Sequence, residues 1–188
     1  MGSPHIILMF SGKRKSGKDF ICEKLKMILE EKCAIIRISA PLKCSYAETH
    51  NLDIKELMSD GPYKEKYRLD MIKWSDKIRE EDPGYFCKKA CDDAEIKPVW
   101  IVTDIRRKSD IKWFKETYKD KIKTVRISAE LETRKNRGWI FQNGVDDVAS
   151  ECDLDDWVKW NLEVKNDSEE ELEDAIEKIL NFVAFTLS

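Results

Sequence analysis

The stretch Ile6-Ile7-Leu8-Met9-Phe10, followed by Gly12-Lys13-Arg14-Lys15-Ser16-Gly17-Lys18-Asp19, decides the fold of this chain. A short apolar run typical of a buried strand leads into the pattern G-x-x-x-x-G-K, and a helical pattern begins at the lysine. Glycines let such a loop turn its N–H groups towards an anion, and the following helix offers its positive end to the same anion. The stretch therefore predicts a phosphate-binding loop in which Asp19 replaces the usual Ser or Thr.

The composition indicates a globular protein of ordinary domain size. The chain has 188 residues, of which 41% are hydrophobic and 38% charged. No apolar run approaches the roughly 20 residues of a membrane span, and the N-terminal apolar stretch is the predicted strand and not a secretory signal. We expect one domain (1–188), a cytosolic location, a monomeric state and no membrane partner.

The charge is distributed unevenly along the chain. Residues 141–188 carry a net charge of −11 and residues 1–140 a net charge of +8, which leaves −3 for the whole. The arginines of the basic part occur at separate positions and form no continuous stripe. This distribution favours a small anionic ligand over nucleic acid.

The six cysteines form no C-x-x-C pair. Cys87 and Cys91 are four apart and share a helix face, as small buried residues do. We expect reduced structural thiols, against the alternatives of disulfides or a metal site.

Apolar runs alternate with helical patterns along the whole chain. The predicted strands are Ile6–Phe10, Ala34–Ile38, Val99–Thr103, Thr124–Ile127 and Leu162–Val164, and the predicted helices are Lys18–Glu31, Tyr63–Glu81, Tyr85–Asp93, Ser109–Tyr118 and Ser168–Phe185. Such alternation predicts a three-layer α/β fold, a five-stranded parallel sheet with helices on both faces. With the glycine loop, it is the P-loop NTPase fold.

Charged side chains follow the predicted strands, where ligands bind in open α/β sheets. Lys18 is expected to reach the β- and γ-phosphates of a nucleotide, and Lys13, Arg14 and Lys15 add positive charge to the loop. Asp104 ends the third strand, as a magnesium-binding carboxylate does, and Asp19 is a second candidate ligand. The alternatives are that Asp104 caps a turn and that Asp19 caps or pairs with a lysine.

Further ligand-binding candidates lie at the other strand ends and on two helical segments. The strand ends contribute Lys43, Arg106, Arg107, Asn166 and Asp167, and the helical segments contribute Lys64, Arg68, Arg79, Arg134 and Arg137. Adjacent arginines at a strand end have no obvious core role and suit bidentate phosphate recognition. For the remaining candidates, a solvated helix face, a helix end or an N-capped turn is the alternative. Arg134 and Arg137 precede an irregular stretch, 138–157. Long loops of this kind often act as mobile lids, and such a lid could close these arginines over a phosphate.

Several motifs together resemble the animal-type phosphomevalonate kinases. They are Phe10–Phe20 with its Lys-Asp ending, Tyr63-Lys64-Glu65, Asp82–Cys87, Asp104–Ile111, Arg137-Gly138-Trp139 and Gly144–Cys152. The resemblance implies a nucleoside-monophosphate-kinase-like fold with a core at 1–45 and 95–188, a substrate-binding helical region at about 46–94 and a lid at about 130–157. It also implies transfer of the γ-phosphoryl group of ATP, with Mg²⁺, to 5-phosphomevalonate.

The resemblance assigns roles to individual residues. It implies that residues 12–19 and Arg137 bind ATP and that Arg106 is the catalytically sensitive arginine. Arg107 and Arg79 would assist substrate or phosphate binding, and Asn166 with Asp167 would contact the substrate or the adenosine. A kinase of the same fold acting on a nucleotide or another small phosphate is the main alternative, and a non-catalytic nucleotide-binding module is a third.

Overall fold

The structure, a computed structural model, describes residues 3–59 and 61–187. Its centre is a parallel sheet whose strands are β1 (Ile6–Ser11), β2 (Cys33–Ile36), β3 (Val99–Val102), β4 (Ile122–Ser128) and β5 (Leu162–Lys165). The strands lie in the order β2-β3-β1-β4-β5, so that β1 is central. The predicted five-stranded parallel sheet is confirmed, and the glycine loop leaves the middle of its carboxyl edge.

Helices cover both faces of the sheet. They are α1 (Lys18–Leu29), α2 (Ser39–His50), α3 (Ile54–Met58), α4 (Pro62–Glu81), α5 (Tyr85–Asp92), α6 (Lys108–Tyr118), α7 (Leu131–Asn136), α8 (Ala149–Cys152) and α9 (Glu169–Leu187). Because successive side chains of a strand point to opposite faces, β1 divides its residues between two cores. Ile6, Leu8 and Phe10 pack with α1 and α9, whereas Ile7 and Met9 pack with α5 and α6.

A third, smaller core lies among helices α2, α3 and α4. Tyr46, Ala47, Leu57 and Met71 are buried there, away from both faces of the sheet. Helices α2 and α3 were not predicted, since the chain after the second strand lacks a clear apolar period. The residues from Ser39 to Lys43, placed by the sequence at the end of the second strand, are the start of α2.

Side chains at the starts of α6 and α9 determine where these helices begin. Helix α6 begins at Lys108 with Arg107 as its N-cap, one residue before the predicted start at Ser109. The Asp110 carboxylate accepts the Arg107 N–H at 3.0 Å and thus starts the helix earlier. Ser168 precedes α9 and accepts the N–H of Glu171 at 3.2 Å, as an N-cap does.

Candidate active site

The loop between β1 and α1 has the backbone of a phosphate cradle. Gly17 has φ 88° and Lys15 has φ 63°, both in the left-handed region. At Gly12, an added Cβ would lie 2.7 Å from the carbonyl oxygen of Ile127, so only glycine fits against β4. Glycine is therefore required at position 12 by the close approach to β4 and favoured at position 17 by the sharp turn.

Side chains from two later segments hold the carbonyl oxygens of the loop. Arg134 Nε donates to the Arg14 oxygen at 2.8 Å, and Asn166 Nδ2 donates to the Ser16 oxygen at 2.9 Å. Arg137 donates to the Ser16 oxygen at 3.2 Å and to the Asn166 oxygen at 2.7 Å. In a trans peptide the C=O and the following N–H point in opposite directions. The N–H groups of Lys15 and Gly17 are therefore turned away from these donors, as anion binding requires.

The side chains of two cationic residues of the loop, Lys13 and Arg14, contact the segment 142–155. Lys13 Nζ donates to Asp155 Oδ2 at 2.5 Å and to the Glu151 carbonyl at 2.8 Å. Arg14 Nη1 lies 2.9 Å from both Asp146 Oδ2 and Gln142 Oε1. These contacts fix the segment against the loop, a role that the sequence did not suggest. The side chain of Lys15 is exposed.

Lys18 lies at the meeting point of the loop and β3. Its Nζ donates to Asp19 Oδ1 at 2.5 Å and to the Thr103 carbonyl at 2.6 Å. Asp104 accepts the N–H groups of Ile38 at 2.7 Å and Ser39 at 3.0 Å, and so supports the start of α2. In the structure Asp104 therefore caps a helix start and Asp19 pairs with a lysine, which are the two alternatives given above.

The donor chemistry of this corner fits Mg²⁺. Within residues 3–59 and 61–187 no group of three or more His, Cys, Asp or Glu side chains forms a ready-made metal site. Magnesium at a nucleotide site needs only one or two carboxylates, with phosphate and water oxygens completing the shell. Asp19, whose side chain is 79% exposed, and Asp104 both border the cleft beside Lys18. Either carboxylate is chemically suited to this role.

A cleft of about 700 Å³ opens between the carboxyl edge of the sheet and α4. Four carboxylates border it (Asp19, Glu23, Asp104 and Glu151), and its cationic wall consists of Lys18, Arg37, Lys43, Lys64, Arg68, Arg79, Arg106 and Arg107. The cleft thus brings together all the cations that the sequence suggested for acceptor binding. Asn166, suggested with them, instead lies buried under the phosphate loop. The surplus of positive charge suits a polyanionic ligand.

Four arginines of the cleft are held by carboxylates. Arg79 pairs with Asp110 at 2.8 Å, Arg106 with Glu151, and Arg107 with Asp76. On α4, Arg68 donates to Glu65 at 2.7 Å, and this hydrogen bond lowers the pKa of the Glu65 carboxyl. Because a paired guanidinium keeps a fixed place, these side chains are partly pre-organised for an anion.

The sequence missed Arg37 and the carboxylate partners of the arginines. Arg37 directly follows β2, which ends at Ile36, but the predicted strand extended to Ile38 and so placed Arg37 inside it. The partners Glu151 and Asp110 had no strand-end signal, since they come from an irregular loop and from a helix turn.

The cysteines are unpaired thiols, as expected. All six lie within the described residues, and none forms a disulfide. Burial raises the pKa of Cys22 and of Cys91 to about 12 in each case. Such thiols stay protonated and act as packing residues.

A glycine loop at the centre of a parallel sheet, a lysine at the start of the next helix and a cationic cleft at the carboxyl edge define a P-loop kinase. A family model described as phosphomevalonate kinase matches residues 10–120. The phosphomevalonate kinase of Drosophila melanogaster is 49% identical over 168 residues, which cover 87% of this chain and 89% of the fly protein. The chain belongs to the phosphomevalonate kinase family, and the resemblance of its motifs is confirmed.

A solved structure supports the fold independently. TT1252 from Thermus thermophilus aligns with a TM-score of 0.56 at 18% identity, covering 95% of this chain and 97% of that one. At this identity the similarity concerns the fold alone. None of the described helices has the length and apolarity that a membrane crossing requires.

Proposed function

We propose that this protein transfers the γ-phosphoryl group of ATP to the phosphate of 5-phosphomevalonate, giving ADP and 5-diphosphomevalonate. The observation that carries the proposal is the cleft next to the phosphate loop, which is lined by eight Lys and Arg side chains and by only four carboxylates. Family membership supplies the identity of the acceptor.

The donor is proposed to bind at the loop and under the segment 130–157. The N–H groups of the loop hold the β-phosphate, and Lys18 exchanges its contact with the Thr103 carbonyl for the bridging oxygens. Arg134 and Arg137 already contact the loop from the adenosine side, where Asn166 and Asp167 follow β5. Asp19 or Asp104 would hold Mg²⁺, and the ion would supply positive charge against the negative charge of the nucleotide.

The acceptor is proposed to bind between the sheet edge and α4, within the helical region of about 46–94. Residues 64, 68, 75 and 79 face the cleft at helical spacing and present Lys64, Arg68 and Arg79. Lys43 and Arg107 complete the site, and Arg106 lies between the acceptor and the donor loop. The segment 130–157 acts as a lid over this arrangement, and it is a part of the core formed by 1–45 and 95–188.

The reaction needs charge neutralisation more than proton removal. A phosphate monoester has a second pKa near 6, so one of its oxygens attacks the γ-phosphorus without a general base. A new P–O bond forms as the bond between the γ-phosphorus and the bridging oxygen breaks, and ADP leaves. The barrier is the repulsion between two polyanions, which fixed arginines and Lys18 reduce by positioning and by electrostatic stabilisation.

An acceptor panel tests the proposal. The purified protein is assayed for ADP release with ATP and Mg²⁺, and ³¹P NMR identifies the diphosphate product. We expect turnover with 5-phosphomevalonate and none with mevalonate, which lacks the accepting phosphate. Faster turnover with nucleoside monophosphates would favour the related kinase function. ATP binding without transfer to any acceptor would favour a nucleotide-binding module.

A further inference from the structure

A single buried carboxylate connects three arginines of the cleft. Asp110, in the first turn of α6, is fully buried. Its Oδ1 accepts Arg79 Nη1 at 2.8 Å, and its Oδ2 accepts the backbone N–H groups of Arg106 and Arg107, both at 3.0 Å. The Cys87 thiol donates to Oδ1 at 3.5 Å. Four donors from three segments of the chain thus converge on one side chain.

Helix capping accounts for only part of this arrangement. A cap needs the N–H of Arg107, whereas Arg79 comes from α4 and the N–H of Arg106 lies outside the helix. A buried charge destabilises the fold unless it is paired and hydrogen-bonded. A well-packed apolar residue in the same space often gives equal or greater stability. Here the charge is fully compensated, and every arginine that it contacts lines the cleft.

The contacts of Asp110 restrict both the side chain and the backbone of the arginine wall. The Arg79 guanidinium lies 5.2 Å from the centre of the Phe86 ring and is held by Asp110 as well. The two backbone bonds fix the position from which the Arg106 and Arg107 side chains leave the chain. Groups fixed in this way before binding lose less entropy when an anion arrives.

We propose that Asp110 is a positioning residue for the phosphoryl acceptor and that it acts through Arg79, Arg106 and Arg107 without touching the substrate. The proposal rests on the phosphomevalonate kinase function given above. It predicts that loss of the Asp110 charge impairs use of the acceptor far more than use of ATP, because the ATP loop is held by Arg134, Arg137 and Asn166 instead.

The test compares Asp110→Asn with a matched control. Asparagine keeps the shape but removes the charge and places an amide donor against the existing donors. We expect KM for 5-phosphomevalonate to rise about tenfold or more while KM for ATP stays within about threefold. The control is Asp174→Asn, which removes an exposed carboxylate paired with Lys178 on α9. We expect it to leave both KM values unchanged. Equal changes of both KM values in Asp110→Asn overturn the proposal.

A double-mutant cycle separates positioning from general loss of stability. Arg79→Met removes the partner from a different helix, so its effect on kcat/KM for the acceptor should overlap with that of Asp110→Asn. We expect the double variant to lose less than the product of the two single losses. The proposal is overturned if the two losses of kcat/KM multiply in the double variant. All samples are first shown to be folded by near-UV circular dichroism.

If Asp110→Asn does not fold, Asp110→Glu takes its place, since it keeps the charge but displaces the carboxylate by one methylene from its four donors. An acceptor-selective rise of KM supports the proposal, and equal changes for both substrates overturn it. Failure of the function itself gives a different result, since the unaltered protein then shows no turnover with 5-phosphomevalonate.

Discussion

Replacing Gly17 by alanine tests how the phosphate loop is built. Gly17 has φ 88°, and an added Cβ would lie 2.0 Å from Asn166 Nδ2. A left-handed backbone costs a non-glycine residue about 1–2 kcal/mol. The Asn166 amide cannot move away freely, because its Nδ2 donates to the Ser16 carbonyl at 2.9 Å.

The second cost comes from that hydrogen bond. Leaving a buried acceptor without its partner costs about 1–3 kcal/mol. Arg137 also donates to the Ser16 oxygen at 3.2 Å, so the lower part of this range applies. We therefore expect Gly17→Ala to lower the free energy of unfolding by about 2–4 kcal/mol. ATP affinity should fall as well, because the N–H group of residue 17 belongs to the cradle.

Gly138→Ala is the matched control. Gly138 has φ 82°, nearly that of Gly17, but nothing lies within 4 Å of an added Cβ. We expect it to lose only the backbone contribution of about 1–2 kcal/mol in urea unfolding. Adding Asn166→Ala to Gly17→Ala should remove the clash, so the double variant should be more stable than additivity predicts. Equal losses for the two glycine variants, or strict additivity in the double variant, would refute this account of the loop.

Three further predictions concern the cations. Lys18→Met should lower kcat by at least about 100-fold with an unchanged melting temperature, because Lys18 stabilises the transferring phosphoryl group; a near-normal kcat in a steady-state assay would remove it from the transition state. Arg106→Ala should reduce kcat far more than Arg14→Ala, since Arg106 lines the cleft and the Arg14 side chain contacts Asp146; equal small losses would place Arg106 outside the reaction. Arg37 lines the cleft, and its guanidinium makes no hydrogen bond or ion pair with the described residues, so Arg37→Met should raise KM for the acceptor about tenfold. An acceptor KM within twofold of the original would contradict that role.

The parts of the site that depend on local pattern were predictable from the sequence. The strand β1, the glycine loop and Lys18 form one continuous motif. The carboxyl ends of parallel strands share one edge of the sheet, which is why Arg106 and Arg107 could be placed near Lys18. On α4, the helical period was enough to put Arg68 and Arg79 on one face.

The parts that depend on tertiary pairing were not predictable. Asp110 meets Arg79 across 31 residues and Glu151 meets Arg106 across 45, and nothing in the chain marks these carboxylates among the others. For the same reason Lys13 was interpreted by its neighbours in the loop, whereas its side chain contacts Asp155 in a segment more than 140 residues later. Sequence periodicity specifies which face a residue occupies, but the partner on the opposite face is set by packing.

Each paired cation of the cleft is held by a carboxylate, and the burial of that carboxylate indicates whether a substrate phosphate can replace it. Lys18 pairs with Asp19, whose side chain is 79% exposed, and Arg107 with Asp76, which is 40% exposed. Exposed pairs contribute about 0–1 kcal/mol, so a phosphate can displace these carboxylates at little cost. Asp110 is only 1% exposed, and separating it from Arg79 would leave a buried charge unpaired. We therefore expect Lys18 and Arg107 to move onto the phosphates while Arg79 stays in place, as does Arg106, whose partner Glu151 is only 5% exposed.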